Sequence, residues 1–285
     1  MKPVHLAVGK LNADIIVKAD RIPDPDTPAY TEVLEILPGG AATNYAVAVA
    51  RLGHSSKVLA KVSKNPIVKV LMSFLTEQGV GMDYVQEEDG PMNSTLIFLR
   101  GDGRISMIRK QGVSTRIRPE DVKSLFGLFD VIHFASVSPE LVVRDPTASL
   151  VSYDPGPYAG NINQLPEVDV LYLNEAEYQR IDLKSVKARY IAVKMGAKGA
   201  MVIGEKERCV GKALKVDVVD TTGAGDVFDA AFNVALMERW DLKDSLVFAI
   251  VASGLKVTRL GGTSSPTLEE VMSYIKKDKV EVTCD

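Results

Sequence analysis

Cysteine is nearly missing from this chain of 285 residues: only Cys209 and Cys284 occur. Two are too few for a disulfide framework at this length, and no Cys/His cluster has zinc spacing. A reducing cytoplasm fits. Tryptophan occurs once, as Trp240, and histidine three times, as His5, His54 and His133. The histidines are scattered, and His133 lies inside an apolar run, so a hydrogen-bonded core histidine is expected there. Trp240, near a predicted helix end, reads as packing. No run of about 18 apolar residues exists, so no membrane-spanning helix is expected. The start, MKPVHLAVGKLNAD, lacks the apolar stretch of a signal peptide. Excess positive charge is also lacking. The formal net charge is -3, which speaks against a general nucleic-acid binder that works by neutralising phosphates. Neither GxxxxGK[ST] nor GxGxxG is present, so a Walker-type phosphate loop and a dinucleotide-binding fingerprint are both excluded.

What is present is an ordinary globular mixture, 46% apolar and 25% charged, enough to bury a substantial core in one large domain spanning 1–285. Short β-branched-rich runs at Val4–Val8, Val58–Val62, Val131–Phe134, Val151–Asp154, Val170–Leu173 and Ile191–Lys194 read as buried strands. Helical patterns at 43–52, 65–78, 119–128 and 176–181 fall between them, and 223–239, 242–260 and 267–277 make the last third mostly helical. Alternation of this kind predicts right-handed crossovers and an α/β three-layer sandwich, a central mostly parallel sheet flanked by helices. Ligands then bind beyond the carboxyl ends of the strands. Two stretches break the rhythm. Residues 15–37 hold a Pro-rich turn between IIV and EVLEIL, and residues 93–109 read as a hairpin, STLIFLR–GDG–RISMIR. Neither is followed by a crossover helix, so both are assigned to a small β lid outside the main sheet.

Two segments carry chemistry. Asp220–Thr221–Thr222–Gly223–Ala224–Gly225–Asp226 joins the β-branched run KVDVVD to an amphipathic helix. Small residues at a helix start let backbone N–H groups crowd around one point, and the helix macrodipole adds positive potential there. Gly223, Ala224 and Gly225 thus suit an anion hole, and Asp226 beside them suits a base that accepts a proton from an incoming hydroxyl. The plainer reading is a tight turn with a first-turn acidic residue. The second segment, Pro38–Gly39–Gly40–Ala41–Ala42–Thr43–Asn44, brings backbone close to a ligand through its double glycine and sets Asn44 in a first helical turn. A turn with a helix cap is the plainer reading here.

GGAATNYAVAVARLG resembles the amino-terminal signature of the ribokinase-like (PfkB) carbohydrate kinases, and DTTGAGDVFDAAF resembles their carboxy-terminal signature. Four weaker matches lie in order with these two. Gly9–Lys10–Leu11–Asn12–Ala13–Asp14 is similar to the family's first strand end, and Leu173–Asn174–Glu175–Ala176–Glu177 to its NxxE element. Val193 to Ala200 is similar to its nucleotide loop, and Val257 to Gly262 to its late loop around the adenine. The resemblance implies a kinase moving the terminal phosphoryl group of a nucleotide, ATP or ADP, to a hydroxyl of a sugar or nucleoside. It implies Asp226 as catalytic base with Gly223, Ala224 and Gly225 as the anion hole. Asp14, Gly39, Gly40 and Asn44 would hold the acceptor. Lys194, Gly196, Gly199 and Gly225 would meet the nucleotide. Asn174 and Glu177 would organise Mg2+ and its waters, although Asn-x-x-Glu is also a helix capping box. Asp220, Thr222 and the 258–265 loop match the positions at which many relatives hold a monovalent cation such as K+. The chain departs from the pattern at Lys194, where Thr or Ser is common, and at Ile250, where several relatives carry a polar residue near the base.

The cluster Arg100, Arg104, Arg109, Lys110, Arg116 and Arg118 faces only Asp102 as an opposing acid in the sequence. A solvated hairpin is the default. The sharper expectation puts Arg104 and Arg109 on an anionic acceptor, which makes a phosphorylated-sugar kinase, ADP-dependent in one form, the alternative function. A catalytically inactive metabolite-binding homologue is the other alternative, and the intact Asp226 segment speaks against it. The partners expected are a small-molecule acceptor and a nucleotide, with no nucleic acid and no membrane. A homodimer formed lid to lid is expected as well, because a small sheet must bury its apolar face.

Overall fold

A computed structural model describes residues 2–19, 21–101, 104–183, 186–278 and 280–285, leaving aside the side chains of 161, 163 and 164. Asp102, which the sequence sets opposite the arginines, lies outside the described residues. The main sheet has ten strands. From one edge run β5 (Val80–Glu88), β4 (Ser55–Ser63), β1 (Val4–Gly9), β8 (Val131–Ala135), β9 (Leu150–Asp154), β10 (Val168–Asn174) and β11 (Ala188–Lys194), all parallel. β12 (Ala200–Ile203), β13 (Arg208–Gly211) and β14 (Val282–Cys284) extend it antiparallel.

Both faces of this sheet are covered, which is why its strands read as unbroken apolar runs. In β1, Leu6 and Val8 enter one core and Ala7 the other. The larger core lies under α1 (Ala41–Arg51), α2 (Pro66–Glu77), α5 (Ala224–Met237), α6 (Leu242–Lys256) and α7 (Leu268–Lys277). Ala42, Ala46 and Ala48 on α1 leave room for α5 to approach closely. The second core is capped by α3 (Pro119–Lys123), α4 (Glu175–Tyr178) and short 3-10 turns.

Several sequence expectations are corrected in their extent. The helix expected over 119–128 stops at Lys123, and the chain turns through Gly127, whose φ is +85° and whose N–H donates to Asp145. The one expected over 176–181 is a single turn, and that over 242–260 ends at Lys256. β5 and β12 to β14 have no counterpart in the sequence reading. The two cysteines, read as too few for a disulfide framework and as suited to a reducing compartment, are bonded to each other across β13 and β14, where they are register partners. Partners 75 residues apart in the chain give no local signal of such a pairing. The histidines are scattered only in sequence. His5 bridges Tyr45 Oη and His54, each at 2.9 Å, and His133 meets Ser152 Oγ at 2.9 Å while stacking on Tyr45. Asn233 ties Tyr45 to Ser152, so this buried network leaves few polar groups unpaired. Trp240 packs edge-on against Phe248.

A separate four-stranded sheet has the order β3 (Leu34–Gly39), β2 (Asn12–Lys18), β6 (Ser94–Leu99), β7 (Ile105–Lys110). The outer pairs are antiparallel and β2–β6 is parallel. Residues in register share a face. One row crosses the sheet as Leu37, Asp14, Thr95, Arg109, and the next residue along gives Ile36, Ile15, Leu96, Ile108 on the opposite face. Pleating thus gives this sheet one face with polar groups and one apolar face.

Candidate active site

The two signature segments, far apart in the chain, meet where the main sheet faces the small one. α5 begins at Gly223, whose φ is +77°. A Cβ there would lie 2.6 Å from the Gly262 carbonyl oxygen, so only glycine lets the late loop pass this closely. Gly223 supplies no capping side chain; the Ala224 N–H donates to the Thr221 carbonyl oxygen at 3.3 Å, and the first-turn amides beyond it are left for a ligand. α1 begins at Gly40, φ +96°, where a Cβ would meet the Lys10 carbonyl oxygen at 2.3 Å.

Asn44, in the first turn of α1, donates from Nδ2 to Asp226 Oδ2 at 2.7 Å. Burial pushes the Asp226 carboxyl up to about 7; the Asn44 bond and Lys194 oppose this, and the charges of Asp154 and Asp14 add to it. Asp14 is 5% exposed, and burial raises its carboxyl to about 6 against the Thr95 bond and the Arg109 charge. Its carboxylate lies over Gly39, where a Cβ would fall 1.8 Å from Oδ2. Gly39 is therefore a condition for Asp14 to sit where it does.

Two cavities flank the helix start. One, of about 550 Å3, is bounded by Asp14, Asn44, Gly223, Asp226 and the inner row of the small sheet. Asn12 Oδ1, Asp14 Oδ1, Asn44 Oδ1 and Thr222 Oγ1, all from its lining residues, are buried with no hydrogen-bond partner among the described residues. Buried polar atoms are seldom left so. Lys10, Arg109 and Lys110 are also among the residues that line this cavity. Arg104 is exposed and lies outside this lining, while Arg116 turns away to Glu88 and the Asp89 carbonyl. The other cavity, about 570 Å3, is lined by Lys194, Gly196, Gly199, Gly225, Phe228, Ile250 and Val257 among others. It is a slot with apolar walls. Gly196 and Gly199 have φ of +57° and +109°, and a Cβ on Gly199 would meet the Gly211 carbonyl oxygen at 1.9 Å.

Between the cavities lies a charge cluster the sequence reading missed in part. Lys194 Nζ donates to Asp154 at 2.7 Å and to Asp229 at 2.9 Å. Burial by itself would lower the Lys194 pKa, yet the two carboxylates hold it above the usual range. Asp154 stays low despite burial because Lys194 is beside it, whereas burial pushes the Asp229 carboxyl upward against the pull of the same ammonium. Oxygens of Asp154, Asp226 and Asp229 all lie within 4.8 Å of one another. A Cβ on Gly225 would come 3.3 Å from Lys194 Nζ, so this ammonium faces the helix start. Asp154 was legible as an acid at the carboxyl end of a strand, and Asp229 as one turn beyond Asp226. Thr95 carried no signal beyond its register with Asp14.

Asn174 and Glu177 form the capping box of α4: Asn174 accepts from the Glu177 N–H at 2.9 Å, and Glu177 accepts from the Asn174 N–H at 2.8 Å. Burial and the nearby Asp154 charge raise the Glu177 carboxyl. Asp220 is buried, with Oδ1 accepting from the Thr222 N–H and Oδ2 from the Gly261 N–H, both at 2.8 Å.

The fold, with its capless helix start between a polar and an apolar cavity, defines a phosphotransferase-like site at the carboxyl edge of a parallel sheet. Residues 5–269 match the pfkB family carbohydrate kinases. The chain belongs to this family, and the enzyme is a kinase. It is 27% identical to an ATP-dependent ribose-1-phosphate kinase of Halopiger xanaduensis, over 95% of this chain and 98% of the relative. It is 25% identical to the ribokinase of Lactococcus lactis, over 96% and 98%. Among solved structures, the ribokinase of Thermotoga maritima superposes with a TM-score of 0.81 at 25% identity, covering 97% of this chain and all of that one, 100%. The nucleoside kinase of Methanocaldococcus jannaschii gives 0.79 at 22%, covering 97% and 99%.

Proposed function

We propose that this enzyme transfers the terminal phosphoryl group of ATP to a hydroxyl of a sugar or nucleoside bound in the polar cavity. The observation that carries the reading is the set of four orphaned polar atoms around that cavity, next to a carboxylate and an uncapped helix start. Acceptor hydroxyls donating to Asp14 and Asn44 would satisfy two of them, and further hydroxyls of a polyol would reach Asn12 and Thr222. Asp226 would take the proton of the attacking hydroxyl, held on its far oxygen by Asn44. The first-turn amides of α5 and the Lys194 ammonium would meet the charge of the phosphoryl group in flight. The nucleotide base fits the apolar slot, and the ATP-dependent relative supports ATP as donor. Asn174 and Glu177 suit Mg2+ through waters, as hard oxygen donors, with the Asp154 charge close enough to raise the Glu177 carboxyl. Held there, Mg2+ would supply positive charge to the nucleotide phosphates.

A second reading makes the acceptor a sugar phosphate. Lys10, Arg109 and Lys110 at the polar cavity favour it, as does the similarity to a ribose-1-phosphate kinase. ADP release measured with ribose, nucleosides and ribose phosphates tests both readings. A sugar phosphate preferred by about tenfold or more, the scale of one charge-assisted contact, selects the second. No nucleotide consumption with any hydroxyl acceptor contradicts both. Asp14→Ala is expected to raise the acceptor KM by about tenfold or more, the worth of a hydrogen bond to a charged group, and to leave ATP affinity unchanged in calorimetry. Lost ATP binding with an unchanged acceptor KM would reverse the assignment.

The small sheet would serve as a lid over the polar cavity, and its outer face as the contact of a homodimer. Leu34, Ile36 and Ile108 on that face are 63%, 48% and 61% exposed, a cost that pairing with a second copy would remove. Light scattering giving a monomer mass in active enzyme would reject the dimer.

A further inference from the structure

The positions that match a monovalent-cation site in relatives do not fit such an ion in this chain. Lys256, the last residue of α6, has no exposed surface. Its ammonium donates to the Asp220 carbonyl oxygen at 3.0 Å and to the Arg259 carbonyl oxygen at 3.1 Å. One of those carbonyls belongs to the segment leading into the anion hole and the other to the late loop. The Asp220 carboxylate spans the same two segments through the Thr222 and Gly261 amides. Both its oxygens are thus in use, and the carbonyls that would strip the hydration shell of an ion already face a compact cation. A second cation beside the ammonium would be repelled through a poorly screened interior.

We infer that Lys256 is a built-in replacement for the monovalent cation: it holds the Asp220–Gly223 segment against the late loop, and this kinase works without K+. Lys256 touches neither cavity's ligand space and is a positioning residue. Burial works against the charge of its ammonium, and the Asp220 and Asp226 carboxyls work for it. The close approach of Gly223 to Gly262 is the contact it supports, because both segments are anchored within a few residues of it. The inference rests on reading Gly223 to Gly225 as the anion hole, but its thermal test does not.

The test compares KCl with choline chloride at equal ionic strength. The thermal midpoint of the wild-type enzyme is expected to be the same in both salts. Turnover of ATP with the best acceptor of the ribose, nucleoside and ribose-phosphate panel is expected to agree within about twofold, the scatter expected when no contact is lost. Lys256→Ala opens room for an ion. It is expected to melt lower and to turn over about tenfold more slowly or worse, as when one tenfold step of positioning is lost. Both defects are expected to recover in KCl or ammonium chloride, saturably, and not in choline chloride. Ion-specific recovery is what a merely structural lysine would not produce. A saturable rise of the wild-type midpoint or turnover with K+ overturns the inference, even if Lys256→Ala fails to fold. So does a Lys256→Met variant with wild-type midpoint and turnover in choline chloride. If no acceptor is turned over, the midpoints alone still decide it.

Discussion

Replacing Asp226 by Asn is expected to lower kcat by about 100-fold or more, the scale of a lost general base, while ATP binding stays as it is. The Asn amide keeps the shape of the site and can still pair with Asn44 after a flip of one amide. It cannot accept a proton. Stability is expected to move the other way. The Asp226 carboxyl titrates near 4 when unfolded and at about 7 when folded. Between those values the folded state holds a proton that the unfolded state has released, so stability falls as pH rises through that window. Above about 7 the whole cost of the buried charge is present. The neutral amide of Asp226→Asn removes that cost, so the variant should melt no lower than the wild type at pH about 8, and higher if anything. A variant that is slow because it is unfolded would melt lower, and calorimetry separates the two cases. Wild-type kcat in the variant would remove Asp226 from the mechanism.

Gly225→Val is the second change with a large expected effect. Gly225 lies in the first turn of α5, between the two cavities, with Lys194 Nζ 3.3 Å from where a Cβ would sit. Its backbone φ is not in the left-handed region, so valine does not strain the chain there. What the isopropyl group does is fill the space in which phosphate oxygens would approach the helix amides, and push the Lys194 ammonium aside. Loss of one such donor costs about 100- to 1000-fold in kcat, and two charge-stabilising groups are affected at once. Turnover is expected to be lost, with the thermal midpoint close to wild type. A midpoint that falls together with activity would show a turn that only glycine can make. Gly223 differs in this respect. Its positive φ and the 2.6 Å approach to Gly262 make any side chain there a folding problem as well as a catalytic one, so Gly225 is the cleaner test.

Legibility of the fold followed periodicity. Strands buried on both faces, such as β1 and β8, stand out because nothing polar interrupts them. β5 was missed because its second half, Tyr84 to Glu88, is mixed in polarity, as suits a sheet edge. β12 to β14 were missed because three or four residues are too few to display a period. For the candidate site, Gly223 to Asp226 and Gly39 to Asn44 stand out in the sequence by a local pattern, and Asp14 by the family resemblance. Residues whose role comes from a partner distant in sequence do not. Lys194 stands out as a nucleotide-loop residue, but its pairing with Asp154 and Asp229 joins three separate elements. Lys256 stands out still less. A lysine at the end of a helix normally reaches water, and only the carbonyls of Asp220 and Arg259 turn it inward. Asn174 and Glu177 read both ways in the sequence, and the capping box is formed. A cap does not prevent the same side chains from holding water around Mg2+. Arg109 reaches the polar cavity and Arg104 does not, a difference set by strand register: Arg109 shares a face with Asp14, and Arg104 precedes the strand.

The measurement closest to the central claim is the pH dependence of kcat/KM for the best acceptor, in the wild type and in Asp226→Asn. This quantity reports groups of the free enzyme. A base is active only when deprotonated, so the wild-type value should fall on the acid side of about 7, about tenfold per pH unit for one proton. Asp14, at about 6, adds a second bend further into the acid. In Asp226→Asn the bend at about 7 should be gone and only the lower one should remain. A wild-type profile flat through neutral pH, or a bend at about 7 that survives unchanged in the variant, would contradict Asp226 as the base.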